Sequence, residues 1–146
     1  MKNWKLCKDG SQPEWIEQSV VANYLRTKYR DSILWSATAS GLRSTWSQVI
    51  KMKSAGLNRG VPDLLIFEPR NGKVGLAIEM KRKTGGQLSP EQKWWLEKLT
   101  ERNWRAVVCN GADEAIVEID KYLGGGRGEV IMNRYVKKGG DEKWIG

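Results

Sequence analysis

Histidine is absent from this chain of 146 residues. Histidine is the usual general base near neutral pH and the commonest metal ligand, so hydrolytic chemistry here would fall to carboxylates, lysine and hard metal ions. Cysteine is nearly absent as well. Cys7 and Cys109 are far apart and lack the spacing of metal ligands, which favours a reduced, intracellular setting over a disulfide framework.

Long apolar runs are also missing. No stretch approaches the roughly 20 residues that a membrane-spanning helix needs, and the first ten residues lack the apolar region of a signal peptide. We therefore expect a soluble, cytoplasmic protein with no membrane association. With 40% hydrophobic and 29% charged residues, the chain has the composition of a folded domain.

Acidic residues are outnumbered, with 17 Asp and Glu against 25 Lys and Arg, which gives a net charge of +8. Such a surplus on a small domain favours polyanions as partners. The charge is not specific, since many basic proteins bind no nucleic acid.

Periodicity and turn signals predict eight elements in the order αβαββαβα, which indicates an α/β fold with a mixed sheet flanked by helices. A capping box of Ser11 with Glu14 would start the first helix, and Ser89 with Gln92 would start the third. The predicted ranges are helix 11 to about 30, strand 33–38, helix 45–55, strands 63–68 and 74–81, helix 89–100, strand 104–109 and helix 113–123. We predict one domain over residues 1–123. Residues 124–146 would form a glycine-rich turn and an extension that adds a strand or a dimer contact.

The central hairpin carries three charged residues that are candidates for a functional site. Asp63 begins the first strand, and Glu79 and Lys81 end the second, with a strong Asn71-Gly72 turn signal between the strands. Alternation along the second strand puts Glu79 and Lys81 on one face. The small residues Gly75 and Ala77 share that face and would leave room for a ligand.

Two neighbouring carboxylates repel each other unless a cation lies between them. With oxygen ligands only, that cation would be Mg²⁺ or Mn²⁺, and the backbone carbonyl of Met80 is a further candidate ligand. Lys81 would then hold the attacking water or neutralise charge during phosphodiester hydrolysis. Each signal alone is weak, because a Glu-x-Lys triplet is usually a solvated strand face and Pro-Asp is a common turn.

In combination these motifs resemble the PD-(D/E)XK nuclease superfamily, and within it the VRR-NUC family of small stand-alone phage and bacterial proteins. The resemblance covers about residues 11–123. It rests on KMKSAGLNRGVPDL at 51–64, GLAIEMKR at 75–82, GQLSPEQ at 86–92 with Trp95 and Leu96, and VVCNG at 107–111.

The resemblance implies a restriction-endonuclease-like fold in which Asp63, Glu79 and the Met80 carbonyl bind the metal and Lys81 is catalytic. It also implies a glutamate from the first helix. Glu17 is favoured because it lies on the helix face of Val20 and Val21, whereas Glu14 is engaged by the expected cap.

A family glutamine matches Gln92, which would orient water or a ligand carboxylate. The same residue is the expected capping partner of Ser89, and both roles stay open. Basic residues near the site would grip phosphate groups, and the candidates are Lys53, Arg59, Arg82 and Lys83. Trp94 is a candidate for base stacking, although a packing role is the simpler interpretation.

These observations predict a Mg²⁺- or Mn²⁺-dependent deoxyribonuclease. Because stand-alone family members resemble Holliday-junction resolvases, the resemblance further implies endonuclease action on branched or junction DNA by a homodimer. The alternative is a DNA-binding module that kept the fold without turnover. A purely structural basic protein would leave the paired carboxylates unexplained.

Overall fold

The computed structural model describes residues 7–8, 10–38 and 45–124, together with the backbone of 135–138 and 141–144. The main elements follow the predicted order and are α1 (Glu14–Lys28), β1 (Trp35–Ala37), α2 (Trp46–Ser54), β2 (Leu64–Ile66), β3 (Leu76–Lys81), α3 (Pro90–Glu101), β4 (Arg105–Asn110) and α4 (Ala112–Gly124). A short 3₁₀ turn, Arg30–Ser32, follows α1. Within the described ranges, no helix is long and apolar enough to span a membrane.

The strands β1 to β4 form a mixed sheet in that order. β1 and β2, and β2 and β3, pair antiparallel, while β3 and β4 pair parallel. The parallel pair is joined through α3, as a parallel connection requires a long crossover. The predicted α/β fold with a mixed sheet is therefore confirmed.

The hairpin between β2 and β3 turns where the sequence predicted. Asn71 and Gly72 both have positive φ, of 49° and 72°, and Arg70 and Lys73 exchange two backbone hydrogen bonds across them. Two positive φ values are typical of a type I′ turn, whose twist matches that of the strands. This turn fixes the register that places Glu79 and Lys81 at the far end of β3.

The core lies between the sheet and the packed pair α1 and α4. Leu76, Ile78 and Met80 of β3 join Val21 and Leu25 of α1 in it, so the alternation predicted for β3 is confirmed. The core-facing side of α1 is rotated relative to the prediction. Val20 is 46% exposed, because the buried stripe of α1 is centred on Val21 and Leu25.

The expected capping box of Ser11 with Glu14 is wrong. Pro13 is the N-cap of α1 and no side chain caps this helix. The predicted capping box of Ser89 with Gln92 is present at α3, and a further one, of Thr45 with Gln48, begins α2. The carboxylate of Glu14 therefore does not form the capping interaction that the sequence predicted.

Two further expectations concern the face of Glu79 and the C-terminal extension. The space beside Gly75 holds the ring of Trp104, which a Cβ on Gly75 would meet at 2.4 Å, so this glycine makes room for packing and not for a ligand.

In the C-terminal extension, β5 (Tyr135–Lys138) and β6 (Asp141–Trp144) pair antiparallel as a separate two-stranded sheet. Residues 125–134 lie outside the described ranges.

Candidate active site

Asp63 directly precedes β2, and hydrogen bonds hold both its backbone carbonyl and its side chain. Its carbonyl accepts hydrogen bonds from the amide of Thr38, at 2.9 Å, and from Nε2 of Gln18 on α1, at 3.4 Å. Its Oδ2 accepts from the backbone amide of Met80 at 2.8 Å. This buried carboxylate thus ties the start of β2 to the end of β3.

Glu79 is the most enclosed charged group of the site, with 1% of its surface exposed. Its Oε1 accepts hydrogen bonds from Nζ of Lys81, at 2.7 Å, and from Nε2 of Gln92. Its Oε2 is fully buried and has no hydrogen-bond partner. Buried carboxylate oxygens are nearly always paired, so this atom is the point of the site that a cation or a proton would fit.

The electrostatics of Glu79 lead to the same conclusion. Burial, reinforced by the nearby charge of Asp63, raises the pKa of Glu79 to about 7, against the lowering effect of Lys81. One lysine therefore does not balance the buried carboxylates. A divalent cation at this point would favour the ionised form of both.

Gln92 makes the contacts that both open interpretations require, one to the helix cap and one to Glu79. Its Oε1 accepts from the Ser89 amide at 2.9 Å, which completes the capping box. Its Nε2 remains available and donates to Glu79. The cap thus orients the side chain that reaches into the site, and the first turn of α3 is fixed against the end of β3.

The two glutamates of α1 point to different places. Oε2 of Glu14 lies 3.9 Å from Nζ of Lys81. Burial raises the pKa of Glu14, the charge of Lys81 lowers it, and that of Asp63 raises it again. Glu17 is buried, but its Oε2 accepts the amide of Ala112 at 2.8 Å. Glu17 therefore caps the N-terminus of α4, while Glu14 lies beside the lysine.

The donors present suit a hard metal, although they do not form a closed cage. Among the described residues, no three His, Cys, Asp or Glu side chains converge as a ready ligand group. Mg²⁺ is commonly held by one or two carboxylates and completes its octahedron with water and substrate phosphate. The unpartnered Oε2 of Glu79 is the observation that makes such an open site fit this chain.

The four predicted phosphate contacts are spread over several surfaces. Arg82 follows Lys81 and influences the pKa of Glu14, whereas Lys83 pairs with Asp113 at 3.1 Å. Arg59 is exposed in the turn before Gly60, and Lys53 is exposed in the last turn of α2. Of the four, Arg82 is the one whose charge acts on the carboxylate beside Lys81.

Sequence reasoning missed Gln18 and the close approach of two glycines. Gln18 lies one turn after Glu14 on α1, a spacing that could have indicated a second polar residue facing the site. A Cβ on Gly60 would lie 2.5 Å from the carbonyl carbon of Glu91, and one on Gly86 would lie 2.7 Å from Cβ of Lys81. Both glycines sit in the motif segments, and the structure shows that they allow loops to pack against α3 and Lys81.

Comparison with known proteins agrees with this geometry. A search of curated proteins gave no significant match. A solved structure described as a VRR_NUC domain protein is similar, with a TM-score of 0.61 and 30% sequence identity over 76% of this chain and 88% of that one. The VRR-NUC domain model matches residues 6–113, about the span in which the motifs lie. This chain therefore belongs to the VRR-NUC family and contains a nuclease-type domain.

Proposed function

We propose that this chain is a Mg²⁺- or Mn²⁺-dependent deoxyribonuclease. The observation that carries the proposal is the convergence of Asp63, Glu79 and Lys81 at one end of the inner strands β2 and β3, with Oε2 of Glu79 buried and without a partner among the described residues. A structural ion pair would have no reason to leave that oxygen without a partner. The net charge of +8 supports a polyanionic substrate.

The proposed metal ligands are Asp63, Glu79 and the Met80 carbonyl, with Glu14 as the α1 carboxylate in place of Glu17. When bound, the ion supplies a Lewis acid for the phosphodiester and lowers the pKa of an attacking water. Gln92 keeps Glu79 in position through its Nε2. Glu17 already accepts a helix amide, which argues against a role for it in metal binding.

Lys81 is the proposed catalytic cation. Its Nζ now contacts Glu79 at 2.7 Å and lies 3.9 Å from Glu14, so it occupies the space between the carboxylates. In the reaction it would stabilise the negative charge that develops on the phosphoryl oxygens. Water oxygen bonds to phosphorus, the bond from phosphorus to the leaving oxygen breaks, and that oxygen takes up a proton.

We propose an endonuclease that acts on branched DNA as a homodimer in the cytoplasm, with Arg82, Arg59, Lys53 and Lys83 on the phosphates. Phosphate contacts position a duplex without reading its sequence. They also predict an affinity that falls steeply with salt concentration.

The test is cleavage of supercoiled plasmid and of a four-way junction in Mg²⁺, Mn²⁺ or EDTA. We expect metal-dependent cutting that Lys81→Met abolishes, with the junction cut faster than a linear duplex. Asp120→Asn, remote from the site, is the matched control and should cut normally. Cutting in EDTA, or by the Lys81 variant, would overturn the assignment, and metal-independent binding without cutting would indicate a DNA-binding module.

A further inference from the structure

An open groove runs along the first turns of α3, beside the segment that contains Asn58 and Arg59. It has a volume of about 700 Å³. Its lining residues are Asn58, Arg59, Pro90, Glu91, Trp94 and Trp95. We call it the α3 groove. None of the residues proposed to bind metal lines it.

Contacts hold the two tryptophan rings of the α3 groove in place. Trp94 is 53% exposed, and its ring meets that of Trp95 edge to face, with centroids 5.6 Å apart at 89°. Trp95 is itself fixed, because its Nε1 donates to the carbonyl of Arg59 at 3.0 Å. The Trp94 ring thus packs against a neighbour that is itself held in place, and about half of its surface stays open to a stacking ligand.

The charges in the α3 groove favour a nucleobase over a phosphate as its occupant. A hydrogen bond from its own backbone amide, with a second from Ser89, lowers the pKa of Glu91, so this carboxylate is ionised and repels phosphate within the groove. The same carboxylate can accept the amino groups of a base. Arg59 is exposed beside it and offers its guanidinium to a phosphate at the rim.

The α3 groove is adjacent to the proposed active site through the start of one helix. Gln92 directly follows Glu91 and donates to Glu79. Gly60, with φ of +83°, lets the Arg59 turn approach the peptide between Glu91 and Gln92 to a distance that excludes any side chain. The groove and the candidate active site therefore share the first turn of α3, where Glu91 lines the groove and Gln92 contacts Glu79.

We propose that the α3 groove binds one unpaired nucleobase, stacked on Trp94, of the DNA strand that the active site cuts. Stacking of a base on an aromatic side chain is tolerant of sequence and needs an unstacked base. The preferred substrates would then carry single-stranded or splayed nucleotides next to the scissile phosphate. This inference deepens the proposed function and rests on it, because it names the form of the DNA substrate.

The test compares two fluorescein-labelled probes by anisotropy in EDTA: a blunt duplex, and the same duplex with a short single-stranded tail. Trp94→Ala should weaken binding of the tailed probe about tenfold to hundredfold, as expected for one stacked base, and leave the blunt duplex unchanged. Trp94→Phe should restore most of the affinity. Trp46→Ala is the matched control, because Trp46 is 78% exposed and does not line the groove.

Equal losses for both probes, or equal losses for Trp94→Ala and Trp46→Ala, would overturn the inference. So would an unchanged affinity together with a change in self-association by sedimentation, which would make the groove a protein interface. Because binding in EDTA requires no cleavage, these results are independent of the proposed function. A protein that discriminates the tailed probe but never cuts would refute the nuclease proposal alone.

Discussion

Two clusters in this protein hold a lysine against carboxylate groups, and they differ in whether their polar atoms are satisfied. In the α1–α4 cluster, Asp120 accepts from Tyr24, Lys28 and Tyr29 at 2.6, 2.8 and 2.8 Å, in a partly exposed position. In the site cluster, Asp63, Glu79 and Lys81 are buried, and one carboxylate oxygen has no partner. The carboxylate of the first cluster is paired by three donors, whereas the second cluster keeps a buried oxygen that a cation would pair.

The pKa values of the two clusters move in opposite directions. Burial raises the pKa of Asp120, but the hydrogen bonds from Lys28, Tyr24 and Tyr29 outweigh it and the net pKa is lowered. Burial and Asp63 raise the pKa of Glu79 to about 7, beyond what Lys81 offsets. A lowered carboxyl pKa stabilises the folded chain when ionised, and a raised one destabilises it.

The largest contrast should appear in catalysis. Asp63→Asn keeps an acceptor for the Met80 amide but removes a charge from the site, and we expect a loss of DNA cleavage on the order of 1,000-fold. Lys28→Met removes the lysine of the other cluster and should leave the rate within about twofold. Initial rates of plasmid nicking measure both. A normal rate for the Asp63 variant would show that the two clusters are both structural.

The next largest effect concerns the free energy of unfolding in the absence of metal. Since the raised pKa of Glu79 favours its protonated form, the stability contribution of this group is present below pH 4.5 and is lost as pH rises to about 7. Relative to Glu79→Gln, the wild-type free energy of unfolding in EDTA should therefore fall by about 1–3 kcal/mol across that range. Urea denaturation at several pH values tests this. A difference that is constant with pH would contradict the assigned environment.

The two α1 glutamates provide a matched pair. Glu17→Ala removes the cap of α4 and should cost about 1–2 kcal/mol of stability, with metal affinity retained. Glu14→Ala removes a side chain without a helix partner, so we expect less than about 0.5 kcal/mol but weaker metal-dependent cleavage. Urea denaturation and Mn²⁺ dependence of the rate separate them. The opposite pattern would return the catalytic role to Glu17.

The smallest expected effect belongs to the α1–α4 cluster. Because the net pKa of Asp120 is lowered, its contribution to stability is present above pH 3.8 and is lost as pH falls. Asp120→Asn should therefore cost about 0.5–1 kcal/mol near neutral pH, the range of a partly exposed pair, and less in acid. A larger loss at low pH would contradict this view of the cluster.

Much of the fold could be predicted from local patterns in the sequence. The Asn71-Gly72 turn and the alternation from Leu76 to Met80 are short-range features, and together they were enough to bring Asp63, Glu79 and Lys81 to one place. The Ser89 capping box was equally visible, since it lies within four residues.

Features that depend on how elements pack were not predictable. The rotation of α1 against the sheet decides that Val21 is buried and Val20 exposed, and with it that Glu14, and not Glu17, approaches Lys81. The missing cap at Ser11 has a local cause instead, because Pro13 is the N-cap and the helix begins after it. The contact of Trp95 with Arg59 joins residues 36 positions apart, and no local pattern signals it.

The most direct measurement of the central claim is calorimetric titration of Mn²⁺ into wild type, Glu79→Gln and Asp120→Asn at pH 8, where Glu79 is ionised. The unpartnered Oε2 of Glu79 predicts Mn²⁺ binding to wild type and to the Asp120 variant, and Glu79→Gln should abolish it. Equal Mn²⁺ affinity in all three proteins would contradict the claim that the buried carboxylate cluster is a metal site.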